Sequence, residues 1–134
     1  MNSLIGTIIF VASLALFILS VGHSRMGKYW NRACTGIRWK RRFRAVPTTE
    51  IRAFLGVFVE SFAYNPKRIC CFSPNDKIND IYRTEYPSNF VPDFLELETL
   101  SIAIEESYGI QLETLWSTEL TLGDLFEACY KRQI

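Results

Sequence analysis

A single histidine, His23, serves the whole chain of 134 residues. No Ser-His-Asp arrangement can be read from the remaining residues. Cysteine is scarce as well: Cys34, Cys70, Cys71 and Cys129. Cys70 and Cys71 are adjacent and lack the two-residue gap of a zinc knuckle, so no metal site is expected. There is no glycine-rich phosphate loop, no pair of acids in a defined cleft, no repeat and no low-complexity stretch. These absences argue against an enzyme and against a bound cofactor. Charge is missing where it is most informative. Residues 1–24 contain no Asp, Glu, Lys or Arg, and residues 25–44 contain no acid.

Residues 4–21 are apolar apart from Gly6, Thr7, Ser13 and Ser20. Roughly 20 such residues reach across the hydrocarbon layer, which predicts a transmembrane helix over residues 1–24. A cleaved signal peptide competes, but residues 1–3 carry no basic charge. Eight Lys or Arg follow directly in residues 25–44. By the positive-inside rule they put the C-terminal part in the cytoplasm of a single-pass protein. Residues 25–46 then form a basic neck. Its Arg25, Lys28, Arg32, Arg38, Lys40, Arg41, Arg42 and Arg44, with Trp30 and Trp39, suit a lipid headgroup surface, or serve as plain stop-transfer charges. The membrane accounts for these charges without nucleic acid. In a reducing cytoplasm the cysteines stay as thiols, Cys34 idle on the neck and Cys129 in the core.

Residues 45–134 hold seven basic and fourteen acidic residues, a net of −7. An acidic head thus follows a basic neck. Ile51, Phe54, Leu55, Phe58, Val59 and Phe62 recur at helical spacing, predicting a helix that starts near Thr48 and ends near Ala63, before Asn65-Pro66. Residues 69–72 read as extended cover for the core, and Ser73-Pro74-Asn75-Asp76 as a turn. A second helix runs from Pro92 or Asp93 to Tyr108 and stops at Gly109. Asp93 fits the helix cap. Leu97, Leu100, Ala103, Ile104 and Tyr108 face inward, leaving Glu96, Glu98, Glu105 and Glu106 on an acidic surface. A short turn is expected around residues 112–116. Thr121-Leu122-Gly123-Asp124 opens the last helix as a capping box with Asp in place of Glu.

The segment from Asp93-Phe94-Leu95 to Glu105-Glu106-Ser107-Tyr108-Gly109-Ile110 resembles the recognition helix of an acyl carrier protein. Together with the preceding amphipathic helix and the Thr-x-x-Asp opening, the likeness covers roughly residues 48–130. It implies an all-α fold, a small bundle of three to four helices over residues 47–134. In that family Asp-Ser-Leu opens the helix, and its serine carries the phosphopantetheine arm. Phe94 stands at that place and has no hydroxyl. Glu98 and Ser101 replace apolar residues, and residues 83–90 look inserted. The resemblance therefore implies a non-catalytic interaction module at a bacterial inner membrane. Asp93, Phe94, Leu95, Glu96, Glu98, Glu105 and Glu106 would face a protein of acyl transfer or lipid metabolism. Phe94 either packs on a neighbouring loop or helix or stands out as an apolar anchor. The alternatives are a carrier modified at Ser88 or Ser101 and a structural subunit of a membrane complex. The opposite charges of neck and head also suggest self-masking, the neck covering the acidic helix.

Overall fold

A computed structural model describes residues 2–24, 26–87 and 94–134. The all-α expectation holds among them, where the only bridge of β type is an isolated one between Lys77 and Thr121. The membrane expectation does not. No helix of the described residues is long and apolar enough to cross a membrane. The first helix is α1 (Asn2–Ser24). The transmembrane anchor over residues 1–24 is corrected accordingly. The single-pass inner-membrane location, with its cytoplasmic C-terminal side, is corrected with it.

Residues 26–46 are not a separate neck, because they supply core. Helices α2 (Gly27–Trp30) and α3 (Gly36–Arg42) are short. Between them they bury Tyr29 and Trp39. The Trp39 indole N–H donates to the Phe72 carbonyl at 2.8 Å. The buried Thr35 hydroxyl reaches the same carbonyl at 2.6 Å and lies 3.0 Å from that of Cys70. An indole buried with its N–H satisfied belongs to a protein interior, not to a headgroup layer. Cys34 and Cys70 form a disulfide, which corrects the expectation of idle thiols. Cys71 and Cys129 are free. Burial pushes the Cys129 thiol up to about 12, so it is inert core, as expected.

Helix α4 (Thr48–Ser61) is the centre of the molecule. Ile51, Phe54, Leu55, Phe58 and Val59 are buried at i, i+3, i+4, i+7 and i+8, the stripe that the periodicity predicts. Truncating either fully buried phenylalanine would cost about 3–5 kcal/mol. The helix closes on a Schellman pair. The Ala63 N–H donates to Glu60 and the Tyr64 N–H to Val59, with Ala63 at φ 56° in the left-handed region. The predicted extended stretch after it is instead a 3-10 helix, η1 (Pro66–Cys71), started by the Asn65 side chain accepting from the Lys67 N–H. Helix α5 (Ile78–Glu85) follows the turn at residues 73–76. That turn is organised by the Asp76 carboxylate, which accepts from the Ser73 N–H and from Arg32, both at 2.7 Å.

Helix α6 (Leu95–Tyr108) packs on α4. Gly109 ends it at φ 70°, a conformation that costs glycine little. Helix α7 (Leu112–Leu115) is one turn, and α8 (Leu122–Gln133) packs on α6. The capping box at Thr121 and Asp124 forms with both hydrogen bonds present. Gly123 is required by close approach: a Cβ there would lie 2.8 Å from the Pro74 carbonyl and would also meet the Arg42 guanidinium. Aromatic rings run through the core in contact with one another, from Trp30, Tyr64 and Phe72 to Phe58, and from Trp39 and Phe54 to Phe126. Such pairs add about 0.5–1.5 kcal/mol each beyond burial.

Candidate functional site

The inner side of α6 is fixed by Leu100 and Ile104, which have no exposed surface. Glu98, Ile102, Glu105 and Glu106 consequently face outward. Glu96 and Glu98 sit in the first turn, where the helix dipole favours negative charge. Asp93, expected as the cap, lies outside the described residues, as does Ser88. The cap position is held by Phe94, whose carbonyl accepts from the Glu98 N–H at 2.8 Å and whose side chain forms no capping bond.

Phe94 is 54% exposed, yet its ring is not loose. It stacks on Tyr82 of α5 at 5.8 Å between centroids and 21° between planes. Tyr82 in turn contacts Tyr86, whose hydroxyl donates to the Glu96 carboxylate. Both alternatives for Phe94 thus apply in part: one face packs, and the rest is open. Sequence reasoning missed this brace. Its signal was the four-residue spacing of Tyr82, on α5, and Tyr86, just past its end.

Past Gly109 the chain turns back and lays α7 alongside α6, burying Leu112. A groove of about 450 Å³ lies between them. Its apolar lining includes Phe94, Leu97, Ile102 and Trp116, and Glu98, Glu105 and Glu113 also line it. Glu113 and Trp116 were not among the predicted residues. The turn over residues 112–116 was legible, but not its closeness to α6. Ser101 donates to Glu113 at 2.6 Å, and this hydrogen bond holds the Glu113 carboxyl below its usual range. This hydrogen bond ties α6 to α7. Leu95 is exposed beside Phe94, and Glu106 lies outside the groove lining.

The residues expected at a membrane surface divide into three groups, apart from Arg25, which lies outside the described residues. Arg32 pairs with Asp76 at 2.7 Å, and Arg42 with Asp124 at 2.9 Å and Glu127 at 3.6 Å. Burial pushes the Asp124 carboxyl up, but hydrogen bonds from Arg42 and Thr121 prevail and hold it below its usual value. Trp39 is core, Trp30 is half-buried with the Arg68 guanidinium over its ring, Lys28 lies over Tyr29, and Lys40 donates to the Val46 carbonyl. Arg38, Arg41 and Arg44 are exposed, and none of them joins an ion pair among the described residues. Among the described residues the ion pairs of residues 26–46 go to Asp76, Asp124 and Glu127, and none of them reaches an acid of α6.

No protein family, curated protein or solved structure matches this chain.

Proposed function

We propose that this chain is a non-catalytic interaction module of acyl-carrier shape, which receives a cationic amphipathic segment of a partner protein in the α6–α7 groove. The observation that carries this reading is Phe94. It stands at the helix entrance, where the resemblance expects a serine, with its ring braced by Tyr82, about half of its surface exposed, and a place in the groove lining. An aromatic ring held in place loses little entropy on binding and makes a good anchor. The acids beside the groove would attract basic side chains and speed encounter, with binding that weakens as salt rises. A partner from acyl transfer or lipid metabolism follows from the resemblance alone. The rival reading, a carrier armed at another serine, is weakened by Ser101, whose hydroxyl is engaged by Glu113.

Two measurements test the proposal. Calorimetric titration of the full chain with an amphipathic Leu/Lys peptide should show salt-sensitive binding. Phe94→Ala should weaken that binding by at least about fivefold, the loss of more than ~1 kcal/mol expected of an anchor. Unchanged affinity would refute the anchor role. Intact mass after incubation with coenzyme A and a phosphopantetheinyl transferase should equal that of the bare chain. A gained prosthetic mass would overturn the non-carrier reading. Phe94→Ser should acquire the arm if the carrier shape is real.

A further inference from the structure

The arginine face of α3 and the acidic groove are two surfaces of opposite sign, and neither is neutralised by the other within one chain. Arg38 and Arg41, three apart on α3, lie on one side of that helix. They line two adjoining clefts, one with Pro74 and Asn75, the other with Arg32 and Ile37. Ile37 is 74% exposed, an apolar side chain standing among these cations. The groove has the reverse pattern. Ile102, 54% exposed, lies between Glu98 and Glu105, one turn from each, and Phe94 and Trp116 provide further apolar surface. The α3 face therefore has an apolar projection ringed by positive charge, and the groove an apolar lining with negative charge beside it.

Within the chain the two cannot combine as α3 is held. Thr35 fixes its start to η1, the Cys34–Cys70 disulfide adds a covalent tie, and Arg42 fixes its end to α8. A second copy is under no such constraint. We propose that the chain associates head to tail, with the Ile37-Arg38-Arg41 face of one copy seated in the α6–α7 groove of the next. The contact is heterologous, so each bound copy still offers one free face and one free groove, and assembly grows with concentration instead of stopping at a dimer. A seven-residue helix against one groove makes a small interface, of the size found in weak and transient complexes. Self-association would compete with the cationic partner for the same groove. In that respect the inference rests on the proposed function and supplies its regulation.

Sedimentation velocity of the full chain tests it. At about 0.1 M salt the weight-average sedimentation coefficient should rise with protein concentration. At about 1 M salt, where the screening length falls from ~10 Å to ~3 Å, it should return to that of the monomer. Arg38→Glu/Arg41→Glu and Glu98→Lys/Glu105→Lys, each with an unchanged melting temperature, should each stay monomeric alone. An equal mixture of the two should associate again, because the unaltered face of the second meets the unaltered groove of the first, and reversed face meets reversed groove. The proposal is overturned by a wild-type chain that stays monomeric, by a mixture that fails to recover, or by association indifferent to salt and to both reversals, as contact through the apolar α1 would be. The Leu/Lys peptide separates the two claims. If it binds the Arg38→Glu/Arg41→Glu chain while the wild type does not self-associate, the groove reading stands and this inference fails. If charge swapping works and the peptide does not bind, the inference stands and the cationic-partner reading fails.

Discussion

Replacing both Cys34 and Cys70 by serine should destabilise the protein by several kcal/mol, although neither side chain belongs to the hydrophobic core. The two residues are 36 apart in sequence. Closing a loop of that length removes chain entropy from the unfolded state worth about 4 kcal/mol at 25 °C in the loop-entropy account. For a domain of roughly a hundred residues, 1 kcal/mol corresponds to at least ~4 °C in melting temperature, so a fall of roughly 15 °C is expected. The loss should not spread evenly. The loop that the bond closes contains α3 and α4, and Thr35 and Trp39 depend on the carbonyls of Cys70 and Phe72. Thermal unfolding followed by far-ultraviolet circular dichroism, with and without reductant, measures the effect. The parent with reductant and the serine variant without it should melt together. Thiol titration should find two free thiols in the denatured, unreduced parent. A variant that melts within about 2 °C of the parent, or four free thiols, would refute the reasoning.

The stop of α4 offers a gain instead of a loss. Ala63 holds a left-handed conformation that costs a residue with a Cβ about 1–2 kcal/mol. Ala63→Gly should therefore raise stability by roughly 0.5–1 kcal/mol after the extra freedom of unfolded glycine is subtracted, as read by urea denaturation. Acid should act in part through Asp124. Its folded pKa lies below the unfolded value of about 3.9, so its contribution is present at neutral pH and disappears as pH falls through the folded value. The side chain is half exposed, so the effect stays under about 1 kcal/mol. Asp124→Asn should melt lower than the parent at pH 7 and together with it near pH 2. A gap unchanged across that range would sink the assignment.

What could be read from the sequence was local. The α4 stripe follows from a 3.6-residue period, the stop of α6 from Gly109, and the last helix from the reciprocal bonds of Thr121 and Asp124. The acids of α6 were legible because the apolar side of that helix forces them outward. The basic neck misled because charge was counted without asking what lay between the charges. Tyr29, Thr35 and Trp39 are buried, and the arginines around them are pairing or solvated groups. The residues that meet at the groove are distant in sequence. Phe94 and Trp116 come together only through the reversal at Gly109, and the Tyr82 brace depends on where α5 lies. The disulfide depends on how the chain returns along η1. None of this has a periodic signature. The apolar run at the start was read from composition, and no helix of the described residues is long and apolar enough to cross a membrane.

The three tryptophans occupy three different surroundings, and this gives the molecule built-in optical reporters. Trp39 is sealed in the core, Trp30 lies edge-on to Tyr64 and Phe72 beneath Arg68, and Trp116 is about a third exposed at the groove. Single-tryptophan variants, with phenylalanine at the other two positions, would emit from one place each. Trp39 should give blue-shifted light that shifts only when the fold is lost. Trp30 should follow the docking of residues 26–46. Trp116 should be open to acrylamide until a helix fills the groove. Filling of the groove, whether by a foreign peptide or by a second copy, can then be watched in solution without adding a dye to the surface being measured.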